Sequence, residues 1–442
     1  MEAWYQLFKD HPLVCTDTRK IKPGCIFFAL KGDRFDGNAF ANEALEKGAA
    51  YAVVDNPCVI PHTTEETIKY VLVPDVLKTL QQLSAYHRLR YNVPIIALTG
   101  SNGKTTTKEL IRAVLSARYT VTATEGNLNN HIGLPLTLLN INSRTDIVVV
   151  EMGTSHAGEI ALLTSLCRPT AGLITNVGGA HLEGLGDVEG IKKEKGALYD
   201  YLKNHEGTAF CHVNDSILTG MLTERGITDN VVFYGTGLYA ENEQSGESVQ
   251  VMQQDGRLVL QVPGYPKIQT QLTGLYNVPN VLAALAVGTH FGIAPEQAAA
   301  AIAAYVSANN RSQWVQTTHN ICIADGYNAN PVSMRLALEN WHSLPGEGKC
   351  AVLGDMLELG AAAHQAHVDM VRLVVAMKPD QVFWVGTHFS RAVKEEKAVG
   401  MCFATTEELM VYLKEHPLKD KIILIKGSNG IGLHRLIPSG AC

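Results

Sequence analysis

The run Leu98-Thr99-Gly100-Ser101-Asn102-Gly103-Lys104-Thr105-Thr106 sets two glycines, a lysine and several hydroxyls between an apolar stretch and a helical pattern. Pro94 to Leu98 reads as a buried strand, and Leu110-Ile111-Arg112-Ala113-Val114-Leu115 is apolar at helical spacing. Strand, glycine-rich turn, Lys-Thr and helix is an order that cradles phosphate. The glycines let the backbone curl so that several N–H groups face one anion, and the positive end of the helix adds to them. Gly100, Ser101, Asn102, Gly103 and Thr106 are therefore candidate phosphate contacts. Lys104 would reach the outer phosphates, and the Thr105 hydroxyl would ligate Mg²⁺. The loop is the compact form Gly-x-x-Gly-Lys-Thr, with Leu98 where the general pattern has a further glycine.

Three more residues have chemistry suited to such a loop. Glu151 ends Ile147-Val148-Val149-Val150, a strand whose carboxyl end should open on a ligand crevice. His181 follows Thr175-Asn176-Val177-Gly178-Gly179-Ala180, where an imidazole could hold a metal or orient a phosphate. Lys195 lies in Ile191-Lys192-Lys193-Glu194-Lys195-Gly196, on an expected helix. A solvated strand-end acid, a loop histidine and a basic helix face would each explain one of them taken alone.

Toward the C-terminus three polar clusters follow strands. They are Asp325-Gly326-Tyr327-Asn328-Ala329-Asn330-Pro331, Gly354-Asp355-Met356-Leu357-Glu358-Leu359-Gly360, and Lys426-Gly427-Ser428-Asn429-Gly430. If their strands share one sheet, the clusters line one edge and suggest a substrate site.

The elements that position these residues alternate strand and helix, the pattern of parallel sheets covered by helices. Short strands are expected at 26–30, 50–54 and 70–73, then at 119–123, 146–151, 171–176 and 207–213. Helices are expected at 76–90, 157–167 and 188–203. Gln250 to Gln271 alternates around Asp255-Gly256, a hairpin signal. Pro279 to Tyr305 is Ala-rich and reads as one buried helix. Beyond Asn309-Asn310-Arg311 the alternation restarts. At 442 residues the chain exceeds one typical core. Its net charge of −6 argues against nucleic acid as a partner. No apolar run approaches the roughly 18–20 residues of a membrane span, and no leader is seen, so a cytoplasmic protein is expected. Nine scattered cysteines without a Cys-x-x-Cys pair fit a reducing compartment.

Together these motifs resemble the Mur ligases, the ATP-dependent amino-acid ligases of peptidoglycan synthesis. The resemblance covers nearly the whole chain. The compact phosphate loop is that family's form. Asn127-Leu128-Asn129-Asn130-His131-Ile132-Gly133-Leu134-Pro135, Glu151-Met152-Gly153 and Ala180-His181-Leu182-Glu183 match as well. Tyr327 to Pro331 and Gly354 to Gly360 resemble the member that adds D-Ala-D-Ala. Asp17-Thr18-Arg19 and Phe27 to Gly37 are similar to the domain that holds a UDP-sugar, with Asn38 where a histidine is common.

The resemblance implies an α/β protein of three domains. Residues 1–83 form a small UDP-sugar-binding domain, 84–310 a central ATP-binding domain on a parallel sheet, and 311–442 a Rossmann-like domain for the incoming dipeptide. It implies ligation of D-Ala-D-Ala to UDP-N-acetylmuramoyl-tripeptide through an acyl phosphate, with ATP and two Mg²⁺ ions, by a monomer. Lys104 and loop N–H groups hold phosphates. Thr105, Glu151, His181 and a carbamylated Lys195 hold metal. Asn277, Asn280 and Arg311 contact adenine and phosphate; Asp325, Tyr327 and Asn328 lie by the base or the incoming amine. Thr18, Arg19, Asn129, Asn330, Asp355 and Lys426 are the remaining substrate candidates. The C-terminal domain is expected to swing closed. Two other readings are the preceding ligase, which adds the third amino acid, and a catalytically silent nucleotide-binding relative. The silent relative would be expected to have lost Lys104, Glu151 or the Asp325 cluster, all present here.

Overall fold

The structure is a computed structural model that describes residues 2–32, 35–62, 67–178, 182–236, 248–307 and 311–437. Its contacts divide the chain into two compact units. One holds residues 1–97, 119–153 and 159–171; the other holds 98–118, 154–158 and 172–442.

The first sheet is parallel, in the order β1 (Val14–Cys15), β2 (Ile26–Phe28), β3 (Tyr51–Val54), β4 (Tyr70–Leu72). Pleating sends Ile26 and Phe28 to one face and Phe27 to the other, and both faces are covered. Helix α1 (Val76–Arg88) lies on the Ile26 side, its N-terminus capped by the Asp75 carboxylate. The expected division between residues 83 and 84 falls inside this helix. Leu80 and Leu83 are fully buried, so the apolar face of α1 continues through that point.

The middle sheet has six strands: β5 (Ile95–Thr99), β6 (Val121–Ala123), β7 (Ile147–Glu151), β8 (Ala171–Ile174), β9 (Thr208–His212) and β10 (Val231–Tyr234). Their order is β10-β9-β8-β5-β7-β6. β5, β7 and β8 are buried along their whole length, which is why they read as continuous apolar runs. Helix α2 (Lys104–Leu115) follows β5, and α3 (Val188–Asn204) carries Lys195. The alternating stretch forms an antiparallel sheet, β11 (Gln250–Gln254), β12 (Arg257–Gln261) and β13 (Ile268–Gln269), turning at Asp255-Gly256.

The single helix expected over 279–305 is two. α4 (Val278–His290) ends before Gly292, whose φ of 70° leaves the right-handed helical region, and Pro295 opens a second helix at its first turn. Apolar Ala-rich composition hid that break.

The last sheet is ordered β14-β15-β19-β16-β17-β18. Its strands are β14 (Gln313–Gln316), β15 (Ile321–Asp325), β16 (Lys349–Gly354), β17 (Gln381–Val385), β18 (Met401–Phe403) and β19 (Ile422–Lys426). All pairs are parallel except the antiparallel edge strand β14, which the sequence pattern did not show. The three polar clusters follow β15, β16 and β19, which are adjacent. Helices α5 (Pro331–Ser343), α6 (Ala363–Met377) and α7 (Thr387–Glu396) belong to this layer.

Candidate active site

Gly100 and Gly103 take φ of 152° and 80°, conformations that side-chain-bearing residues rarely adopt. Space demands glycine too. A Cβ on Gly100 would run into the Thr175 hydroxyl, and one on Gly103 would stand 2.7 Å from Asn280 Oδ1. The loop is pinned from the segment after β8. Ser101 N–H donates to Asn176 O at 3.0 Å, and Asn102 N–H to Asn176 Oδ1 at 2.9 Å. Asn102 O accepts from Thr175 Oγ1 at 2.6 Å and from Asn176 Nδ2 at 3.0 Å. The Ser101 hydroxyl bonds the backbone of Gly178. Two loop N–H groups expected to face an anion therefore face Asn176. The first turn of α2 begins at Gly103, and a helix N-terminus is the part of this loop suited to an anion. Thr105 is buried in that turn. Lys104 folds back so that Nζ donates to Gly100 O at 2.7 Å.

Lys195 is 2 % exposed. Burial first, and then the positive charge of Lys104, hold its amine well below the ordinary lysine range; Glu194 opposes them less strongly. Spacing had not distinguished Lys195 from Lys192 and Lys193; its burial does. Glu194 is buried as well. It accepts the Gly158 N–H at 2.7 Å and stands 3.2 Å from the Thr154 hydroxyl, so it ties the 154–158 turn to α3. Sequence reasoning passed over Glu194 because a lone acid in a Lys-rich run reads as surface charge.

Asn277 and Asn280 form a buried relay. Thr107 Oγ1 donates to Asn280 Oδ1 at 3.0 Å, Asn280 Nδ2 to Asn277 Oδ1 at 2.8 Å, and Asn277 Nδ2 to Thr273 O at 2.8 Å. The relay fixes α4 against α2 beside the phosphate loop.

At the ends of β15 and β19, register places Asp325 opposite Lys426. Lys426 Nζ donates to Asp325 Oδ2 at 2.5 Å and to Asn328 O at 3.3 Å. Asp325 Oδ1 accepts the Ser312 N–H, and Ser312 Oγ accepts from Tyr276. The Arg311 guanidinium lies 3.6 Å from the centre of the Tyr327 ring, a cation–π stack. Its Nε is buried with no hydrogen-bond partner among the described residues. Asn330 caps α5, bonding Ser333 N–H, and its amide nitrogen donates to Asn102 Oδ1 at 2.8 Å. Asp355, 2 % exposed, accepts the N–H groups of His388 and Phe389 at the start of α7. His367 Nε2 accepts the Met356 N–H, which leaves Nδ1 to donate to Ala363 O. Burial lowers the affinity of this imidazole for a proton.

In the other unit, Asn129 Nδ2 donates to Glu151 Oε1 at 2.8 Å, and Glu151 itself is 1 % exposed. Thr18 and Arg19 begin a short 3₁₀ turn capped by Asp17. Arg19 holds the Asp17 carboxyl down at about 2. Asn38 uses its whole amide internally: Nδ2 reaches Asp36 and Asp55, and Oδ1 accepts the N–H groups of Asp55 and Asn56. His181 lies outside the described residues. Among the described residues no three His, Cys, Asp or Glu side chains gather as a metal centre.

Three family profiles match the chain in order. They are the Mur ligase family catalytic domain at residues 13–88, the Mur ligase middle domain at 98–288, and the Mur ligase glutamate ligase domain at 310–429. The chain belongs to the Mur ligase family. UDP-N-acetylmuramoyl-tripeptide–D-alanyl-D-alanine ligase of Bacillus subtilis strain 168 is 37% identical, over 96% of this chain and 92% of its own length. The enzyme of the same name from Escherichia coli K12 is 34% identical, over 97% and 94%. A crystal structure of MurF from Acinetobacter baumannii matches with a TM-score of 0.84 at 28% identity, covering 100% of this chain and 98% of that one. In this Mur ligase, Thr175, Asn176 and Glu194 are supports that sequence reasoning had not named as site residues. The signal for the first two was a hydroxyl and then an amide just after a buried strand.

Proposed function

We propose that this Mur ligase joins D-Ala-D-Ala to UDP-N-acetylmuramoyl-tripeptide with ATP. The observation that carries this reading is likeness, along nearly the whole chain, to relatives named for that reaction. The γ-phosphoryl group passes to the free carboxylate of the tripeptide, giving an acyl phosphate and ADP. The dipeptide amine attacks that carbonyl, loses a proton, and phosphate leaves. Phosphoryl transfer needs positioning and charge neutralisation above all. The first turn of α2 and Lys104 serve the β- and γ-phosphates, and Lys104 must leave Gly100 O to reach them. Asn277 and Asn280 keep the loop and α4 in register, and Arg311, Asp325 and Tyr327 meet the nucleotide. Asn328, Asp355 and Lys426 shape the dipeptide side, while Thr18, Arg19 and Asn129 serve the UDP-linked substrate.

Thr105 and Glu151 offer oxygen donors of the kind Mg²⁺ prefers, and His181 and Lys195 are assigned to the same role. Bound there, Mg²⁺ would neutralise phosphate charge. Lys195 fits carbamylation because its environment favours the uncharged amine, the form that adds CO₂ with loss of a proton. The three working segments are 1–83, 84–310 and 311–442, acting within one chain on water-soluble substrates in the cytoplasm.

The test is ADP release from ATP with UDP-linked tripeptides ending in lysine or in diaminopimelate. D-Ala-D-Ala should support turnover and free amino acids should not. Turnover with a free diamino acid on a UDP-dipeptide would reassign the chain to the preceding step.

A further inference from the structure

Asn102 belongs to the phosphate loop and Asn330 to the cap of α5, 228 positions apart in sequence, yet their amides are bonded. The direction of that bond is determined. Asn330 Oδ1 accepts the Ser333 N–H at 2.9 Å, and the Ser333 hydroxyl accepts the Asn330 N–H at 3.1 Å, so this side of the cap is a closed box. The Asn330 nitrogen must then be the end that points away, as a donor. Only an acceptor can face it, so Asn102 presents Oδ1, at 2.8 Å. Turning Asn102 over would set two NH₂ groups against each other.

The rest of Asn102 has little freedom. Its N–H is held by Asn176 and its carbonyl by Thr175 and Asn176. What remains is the Asn102 amide nitrogen, which hydrogen-bonds to no described residue. We propose that Asn330 is a positioning residue for the nucleotide site: it orients Asn102 so that the loop offers a phosphate an N–H₂ donor and not a carbonyl oxygen. The cap of a helix in the C-terminal segment thus sets the polarity of a side chain in the phosphate loop. Asn330 also ends the strap 325–330, whose first residue, Asp325, is bound to Lys426. The inference rests on the ligase reading only in taking the loop's ligand to be a nucleotide phosphate.

Cap and orientation separate by substitution. Asn330→Ser and Asn330→Thr keep a hydroxyl that caps α5 but are too short to reach Asn102. Calorimetry with Mg²⁺ and ADP on the full chain should show about a tenfold loss of affinity in both, the scale of one hydrogen bond to a charged group. The melting temperature should stay at the wild-type value. Asn102→Ala should lose the same factor, and Asn102→Ala with Asn330→Ser should lose no more than either alone. Unchanged ADP affinity in the Ser and Thr variants, or losses that multiply to about a hundredfold in the double variant, would overturn the assignment. So would an affinity loss matched by a fall in melting temperature, which is the mark of a cap alone. Failure of the ligase reading looks different: wild-type protein would bind ADP yet release none from ATP with tripeptide and D-Ala-D-Ala.

Discussion

Lys195 and Lys426 are equally buried, at 2 % exposure each, and end in opposite environments. Lys426 sits at a strand end with the Asp325 carboxylate 2.5 Å away. Among the described residues no carboxylate forms an ion pair with Lys195, and its strongest charged neighbour is another cation, Lys104. A buried lysine with a carboxylate partner is held in place by an ion pair. A buried amine without one is driven toward neutrality, which is the state a nucleophile needs. Burial alone therefore does not tell a paired lysine from an unpaired one; the sign of its strongest charged neighbour does.

The comparison breaks most visibly in activity. Lys195→Ala should lower ADP release about 10²- to 10³-fold, the scale of removing one preorganised charge-stabilising group. Short carboxylates such as formate or acetate should restore part of it by standing in for the carbamate. Full activity in the alanine variant would remove Lys195 from the chemistry.

Lys426→Met should act on stability first. Leaving the partly buried Asp325 carboxylate without its cation costs about 1–3 kcal/mol, read by urea-induced unfolding. A loss no larger than that of an exposed lysine would show that the pair holds nothing.

A third experiment uses pH, in CO₂-free buffer, where Lys195 remains a free amine. The folded chain disfavours the Lys195 ammonium, so the unfolded chain binds more protons and stability rises with pH toward the ordinary lysine value of about 10.4. Below the depressed folded value, where both states are protonated, this group's penalty is present in full. Lys195→Met should raise the melting temperature at neutral pH and flatten its rise toward pH 10.

The smallest effect belongs to Arg19. Its ion pair with Asp17 is exposed to water, so Arg19→Ala should leave the melting temperature unchanged. It should raise KM for the UDP-linked substrate severalfold in the same ADP-release assay. A lower melting temperature with unchanged KM would reverse its assignment to the substrate.

How much was legible depended on distance along the chain. The phosphate loop is nine consecutive residues with its strand before and helix after, so residue type and order were enough to read it. The paired break at Gly292 and Pro295 was present in the sequence but masked by continuous apolar composition. Edge strand β14 is only partly buried and carries two glutamines, so it gives no apolar run. The ionic contact of Asp325 with Lys426 joins residues 101 apart, and no local pattern announces it.

The sequence by itself determined the alternation that makes parallel sheets, the glycines that free the loop backbone, and the polar clusters after three strands. These follow from local sterics and from apolar period, which a window of ten residues contains. Tertiary structure alone decided which lysine was buried beside another cation and which kept a carboxylate partner. It also decided that Asn176 takes two loop N–H groups, and that a helix cap 228 residues away fixes the face of Asn102. Each of these depends on desolvation or on hydrogen-bond geometry between distant segments, and neither quantity exists until the chain has folded.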